Sequence, residues 1–429
     1  MKADRRLCSA FVKGTVLSLA LAFARSALAQ DDHSSTRHQD ERATMLYVWA
    51  GDPARVAPDF LAVIDFDEKS SHYGKVIGTV RVPPPGNAGN EAHHCHRSAD
   101  KKILGCGGLL SLLRGQNSIF FFDVSGARHP TFLFSTSGSK SSITDDFLPM
   151  EPGGFLITQM GSATGEEPGR VLEFDRKLNL VEEWPVRPPR ADFNPHGISA
   201  RPDLNLMVNS DFMLPASSLD IIPGDPVLRG AIRVWNLEDR KIIRTVRIPD
   251  AMGTMDVKLI PGDPQGGPLR QACLTDWRTW WTQGTEPRRW CSTARISFPT
   301  LRSRSEGGMR QLLAMPKSGD RLLFASFQAG QVGMLDVRNP ELPVQTGIVN
   351  LGLNAGPHVI ALTDDDQRLV VVDYFLNKDD FGKIHFEGDH HVRVVKVFKD
   401  HLELDSRFDV DFNTAFPGGP SRPHGVAMK

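Results

Sequence analysis

A short pattern recurs along the chain: a histidine, an aspartate seven residues later, then an apolar run. His93 leads to Asp100 and ILGC, His196 to Asp203 and LMV, and His358 to Asp365 and RLVVVDYF. Asp256 leads in the same phase to Asp263 and ACLTDW. Less regular entries are Gln311 ahead of DRLLFASF, and Thr144 or Asp145 ahead of GFLITQ. His424 opens the closing segment RPHGVAMK. The seven entries lie 47 to 66 residues apart. A period of this size, carried by short strands, is the signature of propeller blades. The first strand of each blade lines the central channel, so equivalent positions converge on one axis. A histidine repeated in phase thereby becomes a member of a ring.

The strands themselves are legible as apolar, β-branched and aromatic runs ending in acidic or polar turns. LAVIDFD at 61, SIFFFDV at 118, RVLEFD at 170, AIRVWNLED at 231, QVGMLDV at 331 and VRVVKVF at 392 are examples. Long amphipathic helices are nearly absent, and 38 glycines and 30 prolines supply turns. The expected fold is an all-β, seven-bladed β-propeller over residues 44–429. His424 sits on a last strand that completes the blade begun by MLYVWAG, which removes two exposed sheet edges. One blade is irregular: RTWWTQGTEPRRW, with Trp277, Trp280, Trp281 and Trp290, reads as a loop packed on neighbouring blades or lying over the channel mouth.

Residues 1–29 read as an export signal. Arg5, Arg6 and Lys13 precede an eleven-residue apolar stretch, Gly14 to Ala24, and Ala27-Leu28-Ala29 offers small residues for cleavage. The stretch is far short of the ~20 residues of a membrane span. A periplasmic destination follows, with either export route open and residues 30–43 a disordered leader. With 50 basic and 51 acidic side chains, net charge −1, the chain has no electrostatic footprint for nucleic acid or anionic membranes. Cys95, Cys106, Cys273 and Cys291 remain in the exported chain; an oxidising compartment permits disulfides, and all three pairings stay open. No Walker loop, nucleophile elbow or dinucleotide fingerprint is present.

His93, His196, His358 and His424 are therefore the candidate metal ligands, with His94 as a rival or partner to His93. Three share near-identical contexts, NPHGI, GPHVI and RPHGV. Neutral imidazole suits copper, iron, zinc and nickel, and ligands arriving from several blades can leave a position open for substrate. Asp256 is the candidate for proton handling. Gln311 and Asp145 are candidates to orient ligand imidazoles. Cys95, two residues from His93, is a possible soft ligand. The segment HFEGDHH, His385 to His391, reads as a solvated excursion.

DFLAVIDFDEKSSHYGKVIGTVRVP, the histidine pair ten residues further on, GPHVIALTDDDQRLVVVDYF, and Gly418-Gly419 shortly before His424 resemble the selenium-binding protein/methanethiol oxidase family. The resemblance spans residues 44–429 and is strongest in the first blade. It implies a seven-bladed propeller whose bacterial members are periplasmic, copper-dependent enzymes. These oxidise methanethiol with oxygen to formaldehyde, hydrogen sulfide and hydrogen peroxide. The pair maps onto His93 and His94, and the C-terminal histidine onto His424. The family's C-x-x-C after the pair is missing, and His196 and His358 stand where typical members have other residues. The four-histidine ring is also similar in architecture to the iron centre of carotenoid cleavage oxygenases. The expected activity is a copper-dependent oxidoreductase, with iron as the alternative metal, acting on a small thiol or other small reductant. The rival is a non-catalytic propeller that binds a small molecule or a protein. A calcium-dependent lactonase fits less well, because calcium takes oxygen ligands.

Overall fold

MLYVWAG contains no charged residue, and its placement explains why. In the computed structural model it is the strand β1 (Met45–Gly51), buried along its whole length. Met45, Tyr47 and Trp49 face one neighbouring sheet, while Leu46, Val48 and Ala50 face another. Strands buried on both faces lose the polar alternation of a half-exposed sheet. The structure describes residues 42–219, 227–248, 253–262, 272–276, 310–339, 342–378 and 384–429. Residues 1–41, with the export signal and most of the leader, lie outside these residues, whereas Ala43 at the end of the expected disordered leader is buried. The tryptophan-rich loop with Cys291 lies outside them too, and with it any pairing of Cys273 to Cys291.

Beside β1 run β2 (Phe60–Asp65) and β3 (Val76–Arg81). The next blade is β4 (Ala92–Arg97), β5 (Ile103–Gly108), β6 (Ile119–Asp123) and β7 (Thr131–Thr136). It is followed by β8 (Ser141–Pro149), β9 (Phe155–Ser162), β10 (Arg170–Phe174) and β11 (Leu180–Trp184). Then come β12 (Pro195–Arg201), β13 (Leu206–Met213), β14 (Leu228–Asn236) and β15 (Lys241–Arg247). A two-stranded sheet, β16 (Thr254–Leu259) with β17 (Ala272–Asp276), precedes β18 (Arg310–Ala314), β19 (Arg321–Ser326), β20 (Gln331–Asp336) and β21 (Val344–Asn350).

The last blade is β22 (Val359–Leu362), β23 (Arg368–Val372), β26 (His391–Val397) and β27 (Leu402–Asp411), interrupted by the hairpin β24 (Phe375–Lys378) and β25 (Ile384–Glu387). Finally β28 (Arg422–Met428) returns to pair antiparallel with β1, Tyr47 opposite Ala427 and Val48 opposite Val426.

The molecule is thus an all-β propeller closed by its C-terminal strand. Among the described residues six sheets are four-stranded blades, not the seven expected, and β16–β17 is a two-stranded sheet. Seven inner strands nonetheless form a closed ring. β28, β4, β8, β12, β16, β18 and β22 each touch the next, and β22 touches β28.

Apolar layers between the sheets hold the ring together. Phe120 and Phe122 of β6 meet Trp49, whereas Phe121 between them faces Phe155 and Phe174 of the following blade. Alternation along one strand therefore feeds two cores. Buried Arg368 adds a polar tie across the closure, donating to the Phe66 carbonyl at 2.8 Å and the Ala43 carbonyl at 2.6 Å. Among the described residues no helix is long and apolar enough to cross a membrane.

Deleting Ser421–Lys429 removes β28 and exposes the edges of β1 and β4. Each lost buried hydrogen bond contributes on the order of 1 kcal/mol against a net stability of ~5–15 kcal/mol. The truncated protein should aggregate or melt well below the parent in a thermal scan. An unchanged melting temperature would contradict the closure.

Candidate metal centre

Six of the seven inner strands share an irregularity, and only β22 pairs in regular register. In β4, residues His93 and His94 together oppose one residue of β5. The same two-for-one bulge occurs at Asp145-Asp146 in β8, His196-Gly197 in β12, Met255-Asp256 in β16, Gln311-Leu312 in β18 and His424-Gly425 in β28. A bulge inserts an unpaired residue and re-aims the side chains around it.

Close packing of the bulges explains the P-H-G motif at two of the histidines. A Cβ on Gly425 would sit 2.2 Å from the His93 carbonyl oxygen, and one on Gly197 would sit 2.6 Å from Asp256 Oδ1. Only glycine lets these inner strands approach so closely.

Five histidines and one carboxylate converge. His93, His94, His196, His358 and His424 are each at most 5% exposed, and Asp145 is fully buried. His93, His94 and His424 offer nitrogen atoms that all lie within 4.8 Å of one another. The His358 ring centre lies 5.0 Å from that of His424 and 5.9 Å from that of His94. Asp145 bridges the rest: its Oδ1 is 2.7 Å from His93 Nε2 and 3.6 Å from His94 Nδ1, while Oδ2 is 3.1 Å from His196 Nδ1.

Both members of the histidine pair therefore face the cluster. Asp145 joins them at the position the sequence register placed least firmly. Nothing in the sequence separates it from Asp146, because a bulge breaks the period-two alternation that would tell one face from the other.

Asp256 is displaced by that same effect. The first residue of its bulge is Met255. The Asp256 carboxylate accepts from the backbone N–H groups of Val257 at 2.7 Å and Leu313 at 3.0 Å, and pairs with Lys258 at 3.0 Å. Asp146 has the equivalent role two blades earlier in the chain, accepting from Ile198 N–H at 3.2 Å and pairing with His96 at 3.1 Å. Gln311 lies on β18, with its side chain outside the described residues.

Cys95 is bonded to Cys106, its direct partner across β4 and β5, so it is no thiolate ligand in this state. His390 and His391 turn away to Asn413 and Asp409. The described residues of HFEGDHH are half-buried, and β24, the hairpin partner of β25, brings Phe375 to 5.0 Å from His358.

Burial keeps four of the imidazoles neutral. Burial pushes His93 and His94 down to about 3, helped by the neighbouring His196 and His93 respectively. Burial likewise holds His358 and His424 well below the ordinary range. It raises Asp145, against the opposing pull of His196 and His94. Lys258 is raised: burial disfavours its charge, but Asp256 and Asp146 outweigh that.

Several buried nitrogens in the cluster accept or donate no hydrogen bond: His93 Nδ1, His94 Nε2 and both ring nitrogens of His424. Each such group costs roughly 1–3 kcal/mol when left unmet. Imidazoles around a buried carboxylate suit a transition metal, to which each ring can offer one nitrogen lone pair.

Apolar side chains wall the cluster. The Phe212 ring lies 4.8 Å from His196, and Phe327 packs on Phe375 at 5.3 Å. Ile143, Met160 and Met255 belong to the same buried cluster. On another side, fully buried Tyr374 stands 5.2 Å from the His424 ring and donates to Glu91, which also pairs with Arg422 at 2.7 Å. Sequence reading missed this network, because its members lie 331 and 283 residues from Glu91 along the chain.

Acidification should destabilise the metal-free protein. A histidine lowered from 6.5 to about 3 on folding binds its proton more readily when unfolded, so stability falls as pH drops below 6.5. At pH 5 each of His93 and His94 should remove about 2 kcal/mol, read by denaturant melts at pH 7 and pH 5. A flat profile would contradict the buried, neutral cluster.

The chain resembles selenium-binding proteins and methanethiol oxidases over most of its length. Selenium-binding protein 2 of Mus musculus is 24% identical over 434 residues, covering 86% of this chain and 89% of that protein. Methanethiol oxidase of Xenopus tropicalis is 22% identical over 435 residues with the same coverage. Among solved structures, a hypothetical selenium-binding protein from Sulfolobus tokodaii superposes with a TM-score of 0.68 at 18% identity, covering 91% of this chain and 94% of that one. No protein-family model matches the chain.

Proposed function

We propose that the protein is an exported, metal-dependent oxidoreductase that uses oxygen to oxidise a small thiol or similar small reductant, in the manner of a methanethiol oxidase. Copper is the metal we favour, with iron as the alternative. The reading is carried by one observation: five buried histidines and a buried carboxylate converge, and several of the histidine nitrogens are unpartnered. The named relatives point to the same chemistry. We further infer that β16–β17 is the inner half of a seventh blade, since β16 occupies a place in the inner ring.

His93, His94, His196, His358 and His424 would hold the metal, which when bound would supply one-electron redox chemistry and a site for oxygen or sulfur. The chain's own residues do the rest. Phe212, Phe375 and their apolar neighbours exclude water and favour an uncharged, apolar substrate. Asp145 orients His93 and His196. For proton handling we now prefer Asp146 to Asp256. Both carboxylates accept two backbone N–H groups; Asp146 differs in its half-exposed partner His96, which offers a way out for a proton.

Protein purified from the periplasm should contain copper or iron by elemental analysis and should release hydrogen peroxide from methanethiol and oxygen. Alanine at His94, His358 or His424 should lower metal retention at least tenfold, while His385→Ala and His391→Ala leave it unchanged. Metal-free protein that refuses added copper and iron would leave a non-catalytic binding propeller as the better reading.

A further inference from the structure

We propose that the Cys95–Cys106 disulfide is a redox-sensitive positioning element of the metal site: intact, it holds His93, His94 and His424 together, and its reduction to two thiols weakens metal binding. The inference rests on the metal-centre reading above and deepens it.

The bond lies where the two strands that carry these histidines touch. Nitrogens of His93, His94 and His424 lie within 4.8 Å of one another. Two of the rings come from the bulge of β4 and the third from the bulge of β28. Cys95 follows His94 directly and is the first residue after the bulge to pair in register, with Cys106 of β5 opposite at a Cα separation of 4.2 Å. On its other side Cys95 meets β28: a Cβ on Gly425 would come within 2.7 Å of Cys95 Sγ and 2.9 Å of its backbone nitrogen. One sulfur thus lies between the bulge that carries His93 and His94 and the bulge that carries His424.

Few other side chains tie β4 to β5 here. Ala92 and His96 pair with Gly108 and Gly105, and the bulge itself faces Gly107. Glycine offers nothing for the cross-strand side-chain contacts that steady a ladder, which leaves Cys95–Cys106 and Arg97–Leu104.

The sulfurs also have little room to part. Cys106 is fully buried and Cys95 is 4% exposed, both packed in the core with Trp49, Phe120 and Phe122. A dithiol reductant gives up two electrons and two protons, closing its own disulfide and leaving one S–H on each cysteine. A bond is then replaced by a non-bonded contact, and the sulfurs separate by on the order of 1 Å. The aromatic core holds Cys106, so the shift falls on Cys95 and through it on Gly425 and the histidines beside both residues. A movement of that size exceeds the ~0.5 Å within which a metal site must be held. In a reducing compartment the chain would carry a loosened site, and in an oxidising one a closed site.

The test uses zinc(II), which imidazole binds and which does not reoxidise thiols. The exported full chain is freed of metal with a chelator and titrated with zinc(II), the site affinity being the part lost in His424→Ala. Reduction with dithiothreitol, followed by gel filtration without oxygen, should weaken that affinity at least tenfold while the thermal unfolding transition persists, and reoxidation should restore it. Cys106→Ser should bind as weakly as the reduced parent and show no response to the reductant. Equal affinity in the oxidised and reduced parent overturns the proposal and leaves the metal-centre reading intact, whereas a parent that binds no zinc in either state overturns both. A Cys106→Ser protein that still weakens on reduction places the switch elsewhere. A reduced parent without an unfolding transition also overturns the proposal, because the bond would then staple the whole fold rather than the site. The comparison of oxidised and reduced parent stands even where Cys106→Ser fails to fold.

Discussion

The inner strands of this propeller approach so closely that a single methyl group on Gly425 would overlap the His93 carbonyl, and this contact governs the rest of the channel. Strands at that separation cannot stay regular and also present side chains to a common axis. The recurring two-for-one bulge resolves the conflict, giving up one pairing position per blade to turn a residue inward. Histidine occupies that position in three bulges and aspartate in a fourth. The apolar layers between blades then fix where these side chains meet, since each inner strand is clamped by sheets on either side.

The cluster so formed is unfavourable as it stands. Imidazoles removed from water lose hydration and, with nitrogens unpartnered, regain little of it. A carboxylate fully buried among neutral rings is still less favourable, as its upward shift records. A fold that tolerates such a centre must have stability in reserve, and the closed ring of buried strands supplies it. The same features that destabilise the empty cluster favour a cation in it, because neutral imidazoles release no protons on binding and the buried carboxylate offsets positive charge.

The likeness to selenium-binding proteins and methanethiol oxidases covers most of the chain at low identity. No C-x-x-C follows the histidine pair in this chain. Cys95 is instead bonded to Cys106 one residue past the histidine pair, where the bond braces the strand that carries it. What the chain has in that motif's stead is nitrogen: His196 and His358, delivered by two further blades.

Much of this was legible in the sequence. The repeat, the all-β class, the closing strand and four in-phase histidines follow from period and composition, because a propeller blade is a local unit and its strands announce themselves. The identity of each inward residue was not legible. A bulge shifts the phase by one, so sequence register set Asp256 on the axis where Met255 stands, and left Asp145 and the second member of the histidine pair undecided. Packing across blades, between residues as distant as Glu91 and Arg422, is likewise absent from any local pattern. The sequence by itself determined which side-chain types the inner strands carry. Only the tertiary structure decided which atoms meet, because convergence on an axis is set by how neighbouring blades press on the bulges, and no single blade encodes that.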